Sequence, residues 1–350
     1  MRRRILILLA AVLLCIFNVA YADLEIQFLD VGQGDAILVI CDGESLLIDG
    51  GPASASRVIY SALQNLPLRA HLDYVIATHP HEDHVGGLSA ALNAAQVDLI
   101  LSPVESWEFL SFNSFLKYAR LQGTPIAIPE EGDQLQLGSA TITILHCWPE
   151  AWDENDMSIV CRIDYGGFSA LFTGDAGSMA EYMLADRWAD MRATLLKIGH
   201  HGSVSSTTSE FLRKVSPEYA VISCGAGNEY GHPHQEVLNS LKESGITTYR
   251  TDLMGTIVFR VDRDGNICIT TDRSSEQKDM FYAPAASSYS YGSRSAFSSE
   301  TFVINEKTRK FHLPACESVQ DISIKNRKEY TGDREDLIDA GYIPCRRCNP

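Results

Sequence analysis

Thr78-His79-Pro80-His81-Glu82-Asp83-His84-Val85-Gly86-Gly87 follows directly on the apolar run Leu72-Asp73-Tyr74-Val75-Ile76-Ala77. The run has the composition of a buried strand. It delivers three imidazoles and an interleaved carboxylate within six residues. Imidazole and carboxylate are the ligands of Zn, Mn and Fe, and a loop leaving a strand can turn alternate side chains toward two ions. The spacing His-x-His-x-Asp-His therefore marks a metal centre, and the glycine pair after it suits a tight passage into a helix.

Working outward, residues 24–272 alternate short apolar runs with turns and amphipathic stretches. The runs include Ala36 to Ile40, Ser45 to Ile48, Ala140 to Leu145, Ser158 to Ile163, Ser169 to Phe172, Tyr219 to Ser223 and Thr256 to Val261. Helical spacing is predicted over Gly87 to Ala95, Ser106 to Leu121, Gly177 to Ala189 and Gln235 to Ser244. Many strands with helices inserted between them imply layered sheets covered by helices. Residues 273–300 shift to Ser, Ala and Tyr and are expected to be a linker. Residues 301–350 form a small polar unit with its own cysteines.

The chain has 350 residues, 45% hydrophobic and 21% charged, with a formal net charge of -16. That is ample apolar material for a packed core and excludes a disordered chain. Residues 23–272 hold 34 acids against 14 Lys and Arg. Such a surface argues against coating duplex DNA with cations, which needs Lys and Arg at the phosphates. Residues 301–350 are nearly balanced, with nine basic residues and eight acids.

Arg2, Arg3 and Arg4, an apolar run from Ile5 to Val19 and Ala20-Tyr21-Ala22 predict a secretory signal peptide over residues 1–22, cleaved after Ala22. An uncleaved anchor is the alternative, although the run is short for a bilayer span. The mature protein is then expected to be secreted or extracytoplasmic, with no membrane contact. Cys41, Cys147, Cys161, Cys224 and Cys268 lie in or beside apolar runs without regular spacing and are expected to be reduced, packed thiols.

Further motifs flank the histidine loop. Phe28-Leu29-Asp30-Val31-Gly32-Gln33-Gly34-Asp35-Ala36 precedes it; Asn155-Asp156-Met157-Ser158, Leu171-Phe172-Thr173-Gly174-Asp175, Leu195-Leu196-Lys197-Ile198-Gly199-His200-His201-Gly202-Ser203 and Tyr230-Gly231-His232-Pro233-His234 come after it. Over residues 24–262 the chain resembles the metallo-β-lactamase fold hydrolases, and in particular the hydrolase domain of ComEC-type DNA-uptake proteins. The resemblance implies a four-layer αββα metallo-β-lactamase fold. It also implies two divalent metal ions, Zn or Mn: His79 and His81 on one, Asp83 and His84 on the other, and Asp175 bridging. His201 and His232 are the further ligands it suggests, with His200 as the alternative to His201. Asp30 is expected to orient a ligand imidazole. Asn155 and Ser158 stand where the family usually supplies a His, and His146 and His234 are expected to be packed or surface residues.

Two such ions clamp the oxygens of a phosphodiester around a bridging hydroxide, with no Ser or Cys nucleophile. Asp83, Asp175 and Lys197 are the expected catalytic residues, Lys197 and the Ser203 hydroxyl contacting a phosphate oxygen. The function implied is a metal-dependent phosphodiesterase or nuclease acting on DNA fragments or a small phosphodiester. Alternatives are a phosphocholine-ester or lactone hydrolase on the same metal core, and a non-catalytic surface or nucleic-acid-binding protein.

His312 and Cys316, then Cys345 and Cys348, have the pairwise spacing of a four-ligand zinc site. A unit of about 50 residues needs such a staple; a disulfide is the alternative. The segment is similar to the metal-binding module of Ada-type DNA repair proteins. It departs from that module where His312 replaces the methyl-accepting Cys, which leaves a structural zinc or a DNA contact as the implied role.

Overall fold

A computed structural model describes residues 24–66, 70–273, 300–314, 316–320, 322–332, 337 and 342–345. The predicted signal peptide, nearly all of the predicted linker, and Cys348 lie outside the described residues. The chain divides into two compact units, Met1–Ala286 and Ser287–Pro350.

The first unit is built on two sheets. Strands β1 (Leu24–Phe28), β2 (Ile37–Cys41), β3 (Glu44–Ile48), β4 (His71–Ile76), β5 (Gln96–Leu101) and β6 (Ile126–Ala127) lie side by side in that order. Strands β7 (Gln134–Leu137), β8 (Ala140–His146), β9 (Val160–Tyr165), β10 (Phe168–Phe172), β11 (Leu195–Lys197), β12 (Tyr219–Ile222) and β13 (Thr247–Arg250) form the second sheet. The chain then returns to the first through β14 (Ile257–Val261) and β15 (Ile267–Thr271), with β14 antiparallel to β1. Strands β3 to β6 are mutually parallel, as are β10 to β13.

Alternation along the strands sorts side chains between layers. Ile37 and Val39 of β2, with Phe168, Ala170 and Phe172 of β10, enter the core between the sheets. Leu38 and Leu171 point the other way, into separate outer cores. Helices α1 (Ser56–Gln64), α2 (Glu82–Val85), α3 (Leu88–Ala94) and α4 (Leu110–Gln122) lie between the strands of the first sheet, and α1, α3 and α4 contribute to its outer core. Helices α5 (Ser178–Arg187), α6 (Ser209–Val215) and α7 (Gln235–Glu243) do the same for the second sheet. In α4 the buried residues Phe112, Phe115, Leu116 and Ala119 recur at helical spacing. Burial of each of its phenylalanines contributes about 1.5–3 kcal/mol. The result is helix, sheet, sheet, helix: the four-layer αββα arrangement.

Loops leaving the C-terminal ends of β3, β4, β10, β11 and β12 carry Asp49, the histidine loop, Asp175, His200 with His201, and His232 respectively. Parallel strands whose carboxyl ends face one crevice are where open sheets place ligands. Cys41, Cys161 and Cys224 are buried free thiols, and Cys147 and Cys268 are free and half-buried.

In the second unit, β16 (Glu300–Asn305), β17 (Lys310–His312), β18 (Arg327–Gly332) and β19 (Ile343–Pro344) form a four-stranded sheet in the order β18, β16, β17, β19. Phe302, Ile304, Phe311 and Leu337 make one small core, and Val303, Val319 and Ile322 gather with Cys316 and Cys345 in another.

Candidate metal centre

His79 Nδ1 lies 3.1 Å from Thr78 Oγ1, whose hydroxyl donates to Asp49 Oδ2 at 2.7 Å. With its proton committed, that oxygen accepts from the ring, so His79 presents a bare Nε2. His84 Nδ1 donates to Asp49 Oδ2 at 2.8 Å, and His201 Nδ1 donates to the Ser223 carbonyl at 2.9 Å. In all three rings one nitrogen is tied back to the scaffold and the other is aimed at a common space, the arrangement that fixes the tautomer of a metal ligand.

The remaining ring nitrogens converge. His79 Nε2 lies 3.0 Å from His81 Nδ1. Asp175 Oδ2 lies 3.2 Å from His84 Nε2, 3.3 Å from His201 Nε2 and 3.9 Å from the Nε2 atoms of both His79 and His200. Asp83 Oδ2 is 3.2 Å from His201 Nε2 and 4.0 Å from His84 Nε2. Buried His84 Nε2, Asp175 Oδ1 and His232 Nδ1 have no hydrogen-bond partner. His201 faces two carboxylates through Nε2 while its only neutral-state proton is at Nδ1. This donor set, imidazole and carboxylate with orphaned buried atoms, fits divalent cations. His79, His81, Asp83, His84, Asp175 and His201 are the residues that would hold them, with His200 and His232 alongside.

Electrostatics inside the cluster are those of opposed charges out of water. Burial works to raise Asp175, but His201, His84 and His200 outweigh it and hold the carboxyl well below the usual range. Burial likewise opposes charge on His84 and His201, yet the surrounding carboxylates hold both well above the ordinary imidazole value. His79 goes the other way, pushed well down by burial and by its imidazole neighbours. Burial, with His200, His201 and His234, lowers His232 to about 3.

The backbone is shaped to hold these groups. His200 and His201 both sit in the left-handed region, at φ 45° and 54°, a conformation that costs of order 1–3 kcal/mol for a residue bearing a Cβ. A Cβ on Gly34 would lie 2.2 Å from the Asp83 carbonyl oxygen, and one on Gly87 2.0 Å from the Gly50 oxygen. Both glycines let neighbouring chain close onto the histidine loop. Buried Glu181 of α5 accepts from the amides of Thr207 and Thr208, anchoring the loop that carries Ser205, whose hydroxyl meets His200 Nδ1 at 2.9 Å.

Several sequence expectations change. Lys197 is fully buried and paired with Asp35, and it donates to the Gly174 carbonyl at 3.1 Å. It braces the floor of the site and has no free path to a substrate phosphate. Ser203 is buried, its oxygen accepting from the Ser205 hydroxyl at 3.0 Å. Asp30 pairs with Arg273 instead of a ligand imidazole; Asp49 takes that task. Ser158 Oγ accepts from the Asp175 amide at 3.0 Å and lies 3.4 Å from His79 Nδ1, while Asn155 begins a short 3-10 turn beside it with a buried, unpartnered Oδ1. His146 is buried, and His234 accepts from the Val204 amide at 3.1 Å through Nδ1. The sequence signal for Asp49 was available: Leu46-Leu47-Ile48-Asp49 places an acid just past an apolar run, as Leu171-Phe172-Thr173-Gly174-Asp175 does.

In the second unit His312, Cys316 and Cys345 are buried with ligand atoms within 4.8 Å of one another. His312 Nδ1 has no hydrogen-bond partner.

Comparison with known proteins agrees with this geometry. The pattern of the Metallo-beta-lactamase superfamily matches residues 29–226. ComE operon protein 3 of Bacillus subtilis (strain 168) is 32% identical over 268 residues, 71% of this chain and 34% of that protein. Competence protein ComA of Neisseria gonorrhoeae is 30% identical over 238 residues, 67% of this chain and 32% of that protein. Recombination protein 2 of Haemophilus influenzae is 27% identical over 256 residues, 72% and 31% of the two chains. The chain thus spans about a third of the length of these curated relatives. It belongs to the metallo-beta-lactamase superfamily, in the company of competence and recombination proteins of the ComEC type.

Proposed function

We propose that the chain is a metal-dependent phosphodiesterase acting on DNA, its fragments or a small phosphodiester outside the cytoplasm. The observation that carries this reading is the convergence of buried His84 and His201 on Asp175 and Asp83, with His79 and His81 beside them. Bound divalent cations supply Lewis acidity toward a phosphoryl oxygen and bring the pKa of water near neutrality. The protein's share is orientation. Asp49 and the Ser223 carbonyl hold the protons of His84 and His201 away from the centre, and Thr78 does the same for His79. Lys197 and Asp35 neutralise one another beneath it, leaving Asp83 and Asp175 as the carboxylates turned to the site. The names of the relatives, competence and recombination proteins, support nucleic acid as the substrate class. The amino-terminal pattern supports export.

We further propose that the second unit holds one structural zinc through His312, Cys316, Cys345 and, outside the described residues, Cys348. A contact between that unit and DNA is the accessory role that its near-neutral charge permits.

The test is the purified chain with Mn or Zn on single-stranded DNA, bis(p-nitrophenyl) phosphate and a lactone, beside Asp175→Ala. Phosphodiester cleavage that vanishes in the variant is the expected result. DNA left intact with every metal, while the lactone is opened in an Asp175-dependent way, would assign the site to another ester.

A further inference from the structure

Successive imidazoles of the site touch one another, with His200 and His234 also beside His232 at 5.5 and 4.9 Å. Ring neighbours run from His81 to His79 at 4.7 Å, on to His84 at 4.1 Å, His201 at 5.2 Å and His232 at 6.3 Å between centroids. Phe109 lies 5.9 Å from His81, with Trp107 packed edge-on behind it at 6.4 Å. Tyr230 stacks on His232 at 5.7 Å and 23°. Tyr230 is 57% exposed, and Phe109 is half-buried just before Leu110, which is 88% exposed.

A nucleic-acid site ordinarily grips phosphates with Lys and Arg. Here Lys197 is sequestered by Asp35, and residues 23–272 carry 34 acids against 14 basic residues. With so few cations on this unit, the bases are the handle left for affinity at this site, and base stacking on an aromatic face is tolerant of sequence because every base has one. A scissile phosphodiester has a nucleoside on each side, and this site has one aromatic ring beside His81 and another beside His232. A quaternary ammonium headgroup asks instead for rings converging on one point, whereas these two meet different imidazoles, His81 and His232.

We infer that Phe109 and Tyr230 are stacking platforms for the bases flanking the scissile phosphodiester, and that the substrate is single-stranded nucleic acid, whose base faces are open. This rests on the phosphodiesterase reading above.

The experiment uses the full chain with Mn, a fluorescein-labelled deoxythymidine decamer, its abasic counterpart and a duplex of the same length. Wild type is expected to show a KM about tenfold lower for the base-bearing strand than for the abasic one. That ratio should collapse toward one in Tyr230→Ala, shrink in Phe109→Leu, which keeps apolar packing, and survive in Tyr230→Phe. A wild-type ratio near one, a ratio unmoved in both ring-removing variants, or a duplex cleaved as readily as the single strand overturns the inference. If no strand is cleaved, the phosphodiesterase reading falls by itself, and fluorescence anisotropy of the same uncleaved strands decides the platforms. Preferential binding of the base-bearing strand that Tyr230→Ala removes supports them, and equal binding of both strands overturns them.

Discussion

In the first unit the candidate ligands are imidazoles and carboxylates drawn from loops at the carboxyl ends of several strands, set over three large hydrophobic cores. In the second they are one imidazole and two thiols placed directly in a small core, where Cys316 and Cys345 pack among Val303, Val319 and Ile322. Hard and borderline ligands with orphaned atoms suit cations that act on a substrate; thiolate-rich sets suit a closed tetrahedral zinc. On the reading proposed above, metal would play opposite parts in one chain: the first unit has packing enough to stand alone and position a site, whereas the second would depend on its zinc to stand.

The largest effect expected from that contrast is in catalysis. Asp175→Ala should reduce metal-dependent hydrolysis to background while the melting transition of the chain stays cooperative; a variant that keeps most of its activity would separate the cluster from the chemistry. For the second unit, Cys316→Ser or chelation should unfold that unit alone, since structural zinc contributes about 10–16 kcal/mol in small metal-dependent folds. Native mass spectrometry and hydrogen exchange read this, and an unperturbed, metal-free unit would return the cysteines to a disulfide. Lys197→Met should cost about 3–5 kcal/mol of stability, because it leaves Asp35 buried without its cation. Denaturant melts measure the loss, and a variant that melts like wild type but loses activity would put the lysine back at the substrate. Asp49→Asn should lower metal affinity or activity by about 10–100-fold, the range for an outer partner of a ligand imidazole, read by metal titration of both proteins.

A smaller effect concerns pH. Burial pushes the Glu181 carboxyl up to about 7, against the pull of the Thr208 and Thr207 amides. A carboxyl with a folded pKa above its unfolded value binds more protons folded than unfolded. Its contribution is therefore full below about pH 4.5 and is lost as pH rises through 7, by about 3 kcal/mol. Between pH 5 and 8 the stability difference between wild type and Glu181→Gln should shift in favour of the variant. A difference constant across that range would show that Glu181 stays ionised throughout.

Much of this architecture was legible because strands and metal motifs have local signatures. The run before Thr78, the alternation in Ser169 to Phe172 and the helical spacing around Phe112 and Phe115 all carry their fold in a few residues. The helices Ser56–Gln64 and Ser209–Val215 escaped notice: each is short, and its stability comes from the sheet that it covers. Ligand types were legible for the same local reason. What the spacing did not carry was direction. Lys197 looked available because its strand ends at the site, yet its side chain turns inward to Asp35, a residue far away in sequence. Asp30 and Asp35 share one motif, and only the folded chain distinguishes the one held by Arg273 from the one beneath the centre.

The central claim, that the His and Asp cluster is a hydrolytic metal centre, is tested most directly by titrating the metal-stripped chain with Mn while following cleavage of bis(p-nitrophenyl) phosphate. Activity is expected to rise with cation bound to the first unit, to saturate near two equivalents there, and to be absent from Asp175→Ala at every point. Cleavage that ignores added metal, or metal that binds with unchanged stoichiometry and activity in Asp175→Ala, would contradict that claim.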